Sequence, residues 1–294
     1  MIWRFRKPKS LKQVTNMIIP IASGKGGTGK TTVAVNMALS VKDAQLLDCD
    51  VEEPNVHILL KPEIYEEKPV FVLNPTINQD KCTHCGKCAE YCQYHALFVT
   101  PTNVLFFPEI CHSCGLCTLA CPESAITEEK REVGVIKKGQ SGNIDLVYGE
   151  LNVGEPMAVP IIREVKKEID REKTVIIDVS PGVSCPVVAS LYGSDFALLV
   201  TEPTPFGLHD LKIAVEVLRM LKITLGVVVN QAGIGDRKVY EYCKKEGIPV
   251  MLEIPFSRRI AELYSRGVPF TLEMTEWRER FRQLFKDIEE QANC

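Results

Sequence analysis

SGKGGTGKTT, residues 23–32, follows the apolar run MIIPIA at 17–22 and leads into the helix-like segment 30–40. A buried strand, a glycine-rich turn and a helix therefore follow one another directly. The turn satisfies the G-x-x-x-x-G-K-[ST] pattern in the context that pattern needs. Glycines at 24, 26, 27 and 29 allow successive backbone N–H groups to face a β-phosphate, and the helix N-terminus adds a favourable dipole. Lys30 would neutralise β- and γ-phosphate oxygens, and the Thr31 hydroxyl is placed to ligate Mg²⁺. The expected nucleotide-binding positions are Gly24, Lys25, Gly26, Gly27, Thr28, Gly29, Lys30, Thr31 and Thr32.

Working outward, runs rich in Val, Ile and Leu recur at 44–48, 174–179, 196–200, 225–229 and 249–254, each reading as a buried parallel strand. Helix-like segments at 160–171, 208–221, 236–246 and 257–266 alternate with them. Strand then helix, repeated, predicts an α/β fold built on a doubly wound, mainly parallel sheet.

The alternation stops after about Pro69 and resumes near Val159. Between them lie CTHCGKCAEYC (82–92) and CHSCGLCTLACP (111–122), separated by 18 residues, and then REVGVIKKGQSGNIDLVYGEL (131–151). In the last stretch two β-type segments flank a turn-rich centre, so a hairpin is expected to return the chain to the sheet. The two cysteine runs repeat at a shift of 29 residues, with Cys82, Cys85, Gly86, Cys88, Cys92 and Ala96 recurring as Cys111, Cys114, Gly115, Cys117, Cys121 and Ala125. That repetition predicts internal pseudo-two-fold symmetry. The expected organisation is an N-terminal extension (1–16), a nucleotide-binding domain (17–72 plus 151–294), and an insert with its following hairpin (73–150).

Composition restricts the function classes. Lys and Arg total 35 against 38 for Asp and Glu, and the net charge of −3 provides no electrostatic reason to expect nucleic acid or an acidic membrane as partner. No run of eighteen apolar residues exists, and the basic start lacks the apolar segment of a secretory signal, so a cytoplasmic location is expected. Twelve cysteines in a reducing compartment, eight of them in two compact runs, read as metal ligands rather than disulfides.

Lys25, immediately after the first glycine of the loop, makes the chain resemble the deviant Walker A ATPases, the superfamily of MinD, ParA and the nitrogenase iron protein. In that family the lysine reaches across a face-to-face dimer to the partner's nucleotide, so the resemblance implies a homodimer that forms on ATP binding. LLDCDVEEPN (46–55) resembles the family's first switch, implying that Asp50 orients or activates the attacking water with Asp48 close behind. VIIDVSPG (175–182) resembles its second switch, implying that Asp178 holds Mg²⁺ through a water while Gly182 lets the loop respond to the γ-phosphate. Carboxylates at the C-terminal ends of parallel strands lie where ligands bind in this architecture. Asn230 matches the family's adenine-reading asparagine, and Pro255 and Phe256 fall where a loop would flank the base. Lys25, Lys30, Asp50 and Asp178 are thus the candidate catalytic residues, and ATP with Mg²⁺ the implied ligand.

The two C-x₂-C-x₂-C-x₃-C runs resemble bacterial-type ferredoxins carrying two [4Fe-4S] clusters, which makes the insert an α+β ferredoxin domain. In that arrangement the fourth cysteine of each run crosses to the other cluster. The resemblance implies one cluster on Cys82, Cys85, Cys88 and Cys121 and another on Cys111, Cys114, Cys117 and Cys92. Zinc is the competing ligand, since paired C-x₂-C units also build zinc ribbons. Pro122 follows the second run, but Gln93 stands where the ferredoxin pattern has proline after the first. Cys185, seven residues after Asp178, matches in offset a cysteine that ligates the bridging cluster of the nitrogenase iron protein; its alternatives are ligation and a buried structural thiol. His84, His95 and His112 read as sulfur-side donors or surface residues.

The segment TEWRERFRQLFKDIEEQ (275–291) sets Trp277, Phe281, Leu284, Phe285 and Ile288 on one stripe. Because the opposite face mixes acids with arginines, docking on the chain's own core is favoured over membrane binding. Together the motifs resemble MinD-superfamily ATPases with an inserted two-cluster ferredoxin domain. They imply an ATP-gated electron carrier with an unidentified redox or cluster-accepting partner, the alternatives being a cluster or metallocofactor assembly carrier and a redox-sensing switch.

Overall fold

A computed structural model describes residues 16–292. The expected N-terminal extension, except Asn16, and Cys294 lie outside those residues. Among the described residues there are eleven strands: β1 (Ile18–Ala22), β2 (Ala44–Asp48), β3 (Glu63–Ile77), β4 (Leu97–Val99), β5 (Val104–Phe106), β6 (Ile126–Ser141), β7 (Ile144–Leu151), β8 (Thr174–Asp178), β9 (Phe196–Thr201), β10 (Thr224–Ala232) and β11 (Val250–Pro255). The helices are α1 (Lys30–Ala38), α2 (Val56–Leu60), α3 (Lys87–Glu90), α4 (Leu116–Ala120), α5 (Val159–Lys167), α6 (Cys185–Leu191), α7 (Pro205–Met220), α8 (Lys238–Glu246), α9 (Arg258–Ser265), α10 (Phe270–Glu273) and α11 (Thr275–Ala292).

Nine strands form one sheet in the order β11-β10-β9-β1-β8-β2-β7-β6-β3. The seven from β11 to β7 are parallel, and β6 and β3 continue the sheet as antiparallel arms. The two-residue period of each strand divides its side chains between two helical layers. Ile18, Leu47, Val175 and Ile177 enter the core beneath α5, α6, α7 and α8, while Ile19, Leu46 and Ile176 enter the one beneath α1, α9, α10 and α11. Burying one such side chain completely contributes about 1.5–3 kcal/mol, so strands apolar on both faces are held most firmly in the middle of the sheet. The stripe on α11 joins the second core: Trp277, Phe281, Leu284 and Ile288 are buried, with Phe270 edge-on to Trp277.

The hairpin expected at 131–151 forms as β6 and β7, and β7 runs parallel to β2 within the nine-stranded sheet. β3 crosses the point near Pro69 where the strand-and-helix alternation ends in the sequence. Its pattern is mostly polar there because it is an edge strand paired on one side only.

Segment 78–125 is carried between the ends of β3 and β6. There the 29-residue repeat becomes a pseudo-two-fold: Leu97 pairs with Phe106, and their counterparts Ile126 and Ile77 pair in the same way. The first strand of each repeat is thus paired with the last strand of the other. Left-handed backbone recurs at equivalent positions, His84 and Ser113, Gly86 and Gly115, His95 and Ser124. Cys88, Leu97, Val104 and Ile126 form a small separate core.

Candidate functional site

A cleft of about 440 Å³ opens along the C-terminal ends of the parallel strands. It is lined by Gly26, Gly27, Gly29, Lys30, Thr31 and Thr32 of the glycine loop, by Asp50, by Asn230, and by Pro255 and Phe256, so most of the expected nucleotide positions converge on one space. Gly27 (φ 77°) and Gly29 (φ 92°) take left-handed backbone that a side chain would strain. At Gly29 a Cβ would also lie 2.4 Å from Asn230 Nδ2.

At the floor of the cleft Thr31 Oγ1 donates to Asp178 Oδ2 at 2.6 Å. Asp178 is fully buried, and its other oxygen, Oδ1, has no hydrogen-bond partner. Burial pushes its carboxyl up to about 7, against the lowering effects of the Thr31 hydroxyl and the Lys30 ammonium. A buried carboxylate with a free oxygen beside a threonine hydroxyl is a donor set suited to a hard divalent cation. The residues present therefore fit Mg²⁺.

Asp50 lines the cleft half-buried, and desolvation raises its carboxyl to about 6. Asp48 works differently, its oxygens accepting N–H bonds from Asp50 (3.0 Å), Asn55 (3.0 Å) and Val56 (3.1 Å). It thereby folds the loop that presents Asp50 and caps the start of α2. Burial together with neighbouring Asp178 holds its carboxyl well above the usual carboxylate range.

Four expected residues are placed differently. Gly24, Lys25 and Thr28 face away from the cleft, toward β9 and α7, where a Cβ on Gly24 would come 2.3 Å from the Asp210 carbonyl oxygen. Lys25 Nζ is 3.1 Å from Glu202 Oε2. Asn230 borders the cleft, but its amide donates to the Thr28 carbonyl (2.9 Å) and its oxygen accepts from Gln231 N (2.9 Å), so it braces the phosphate loop. Gln231, Tyr264, Glu53 and Pro181 also line the cleft and were not singled out from the sequence. Gln231 and Glu202 could have been, because each stands at the end of a parallel strand where ligands gather in this architecture.

The cysteines line two recesses. One contains Cys82, Cys85, Cys88 and Cys121, with His84, Gly86 and Pro122. The other contains Cys111, Cys114, Cys117 and Cys92, with Tyr94, His112 and Gly115. The fourth cysteine of each run faces the recess of the other run. Backbone N–H groups approach sulfur in matching pairs: His84 to Cys82 and Ser113 to Cys111 at 3.4 Å, Ala96 to Cys92 and Ala125 to Cys121 at 3.3 Å. Burial raises the thiols of Cys88, Cys111 and Cys117. Among the described residues no three His, Cys, Asp or Glu side chains converge on a single-ion position. Four cysteines around each recess, with N–H donors aimed at sulfur, form a donor set suited to soft metal, an iron-sulfur group included.

Cys185 is exposed at the first turn of α6, so the buried-thiol alternative does not hold; Cys49 and Cys243 are buried in the core. His112 stacks on Tyr94 with centroids 3.6 Å apart. His84 Nε2 is buried without a partner at the first recess, which leaves a donor for sulfur.

The Asp50 loop is joined by short contacts to β7 and β6, and the start of β6 follows the cysteine segment 78–125. Val51, beside Asp50, accepts from Leu151 N (2.9 Å), and Asn152 N donates to Val133 of β6 (3.0 Å). Gly149 of β7 lies so close to Val51 and Ile161 that a Cβ would approach them to 2.8 and 2.4 Å. Farther along β6, Arg131 pairs with the largely buried Glu155.

Residues 19–270 match the family model described as the CobQ/CobB/MinD/ParA nucleotide binding domain. A protein of Methanocaldococcus jannaschii of unassigned activity is 33% identical over 94% of this chain and 97% of its own length. An iron-sulfur cluster carrier protein of the same organism is 23% identical over 97% of this chain and 87% of its own. Among solved structures, the septum site-determining protein MinD of Pyrococcus horikoshii, complexed with Mg-ADP, aligns with a TM-score of 0.59 at 18% identity, covering 95% of this chain and 98% of that one. That likeness speaks to the fold alone.

Proposed function

The chain belongs to the CobQ/CobB/MinD/ParA nucleotide-binding family, and from that premise we propose that it is an ATP-hydrolysing iron-sulfur protein that gates electron delivery from two [4Fe-4S] clusters. The observation that carries this reading is the sorting of eight thiols into two recesses, each completed by the fourth cysteine of the opposite run, in a chain that also holds a nucleotide cleft. Two clusters would supply reversible one-electron storage.

The chain's own residues divide the remaining work. The loop N–H groups and Lys30 would hold the phosphates, Thr31 and, through a water, Asp178 would hold Mg²⁺, and Asp50 would orient a water for attack on the γ-phosphate. Lys25 is assigned the role of meeting the nucleotide of a second copy, so ATP closes a homodimer. Movement of the Asp50 loop reaches the cysteine lobe through Val51, Leu151 and the β7–β6 pairing. Hydrolysis can then drive an electron transfer that reduction potential alone would not.

A second reading is supported by the relatives named iron-sulfur cluster carrier proteins, at 23% and 24% identity, and by the exposure of Cys185. In it the resident clusters are accessories and Cys185 holds a transient one.

The deciding experiment is an anaerobic redox titration of the purified protein monitored by electron paramagnetic resonance, with and without MgATP, alongside iron analysis. Two [4Fe-4S] signals whose potentials move with nucleotide support gating. Continued, undiminished electron transfer in Lys30→Ala after ATPase activity is lost overturns it. Iron beyond about eight per chain, lost in Cys185→Ala, moves the carrier reading ahead.

A further inference from the structure

Lys25 is held by a chain of hydrogen bonds that returns to its own loop. Its Nζ donates to Glu202 Oε2 at 3.1 Å, and Gln231 Nε2 donates to Glu202 Oε1 at 3.3 Å. Gln231 N donates to Asn230 Oδ1, and Asn230 Nδ2 to the carbonyl of Thr28, three residues beyond Lys25 in the same loop. One carboxylate thus ties the lysine to the base end of the nucleotide cleft.

The two partners of this ion pair differ in freedom. Glu202 follows directly on β9 and its side chain is 15% exposed. Its carbonyl accepts from Thr204 N at 2.8 Å, and Gly207 is packed so closely that a Cβ would lie 2.3 Å from that carbonyl oxygen. Lys25 has a long, flexible stem and a side chain 33% exposed, on a loop of glycines. The Glu202 backbone is fixed in place and its carboxylate keeps the Gln231 bond, so the ammonium is the part able to leave. An anion this shielded from water loses more on separation than an exposed surface pair, for which the pairing is worth little.

We propose that Glu202 is a positioning residue that restrains Lys25 against its own chain, so that Lys25 becomes available to a second copy only when this pair opens. The proposal rests on the ATP-closed homodimer put forward above and adds a built-in resistance to dimerisation in the separate chain. Glu202 acts through Lys25 alone. Gln231, in left-handed backbone (φ 53°) at the wall of the cleft, orients the carboxylate from the side where the nucleotide base would enter.

The test has two arms, both on the full chain with its clusters intact under anaerobic conditions. In the first, the nucleotide-free protein is reductively methylated and the rate at Lys25 is followed by mass spectrometry. Glu202→Gln, which keeps shape and the bond to Gln231, should raise that rate about fivefold, and Glu202→Asp should fall between it and the parent. In the second, self-association with a slowly hydrolysed ATP analogue and Mg²⁺ is measured by sedimentation. Glu202→Gln should tighten it about fivefold, and the gain should vanish in the Lys25→Ala background. An unchanged methylation rate overturns the proposal, as does a gain that persists without Lys25, or faster methylation with unaltered association. If no variant associates, the parent included, the homodimer reading and the restraint on dimerisation both fall, while the methylation arm still decides whether Glu202 holds Lys25.

Discussion

Replacing Asp178 by Asn should change how the stability of the nucleotide-free protein depends on pH. The carboxyl has a folded-state pKa of about 7 against an ordinary value of 3.8, with burial as the principal cause. The folded chain therefore binds this proton more tightly than the unfolded chain does. Its stabilising contribution is complete below pH 3.8 and is lost as pH rises through 7. At about 1.36 kcal/mol per pKa unit, the loss between pH 5.5 and pH 8 is about 2 kcal/mol. Asn keeps an oxygen that can accept from Thr31 Oγ1 and never ionises, so it escapes that loss. Anaerobic urea titrations without Mg²⁺, followed through Trp277 against Phe270 in the second core, measure the difference. Relative to the parent, Asp178→Asn should gain about 2 kcal/mol from pH 5.5 to pH 8. Parallel stability curves for the two proteins would show that Asp178 is not the buried titrating group and would refute the electrostatic account of the cleft floor.

Cys92→Ser tests the crossed thiol sets: it should disturb the cluster of Cys111, Cys114 and Cys117 rather than the one of Cys82, Cys85 and Cys88, halving bound iron from about eight to about four. Selective enrichment and spectroscopy that assign the loss to the Cys82 set would overturn the partition. Lys166 Nζ donates to the carbonyls of Ala189 (3.0 Å), Ser190 (2.7 Å) and Tyr192 (2.7 Å), closing the end of α6, and its burial lowers its pKa to about 8. Lys166→Met should lower stability by about 2–3 kcal/mol in a denaturant titration at pH 7, because three acceptors lose a charged donor. A change under about 0.5 kcal/mol, the scatter of ordinary surface substitutions, would show that water satisfies those carbonyls equally well.

Much of the parallel sheet is legible in the sequence because a strand buried on both faces must be apolar throughout, as TVIID and FALLV are. β3 was not legible. As an edge strand it carries Glu63, Glu66, Glu67 and Lys68, charges that suit a solvent-facing edge and erase the apolar run. Helix ends moved by a few residues for local reasons: α7 begins at Pro205, before the expected 208, since the side chain of Thr204 accepts from Gly207 N and proline suits a first turn.

The glycine loop, Lys30, Thr31 and the two runs of four cysteines were available from residue type and spacing, because phosphate and soft metal each demand particular donors at short range, whereas the two switch carboxylates and the crossed sorting of the cysteines came from the family resemblance. What those residues touch was not available. Only the fold brings Glu202 to Lys25, turns Asn230 into a brace for Thr28, assigns Asp48 to loop folding rather than to the cleft, and exposes Cys185. Local chemistry is written in neighbouring residues, whereas these contacts join residues up to 202 positions apart. Their existence depends on which strands become neighbours in the sheet.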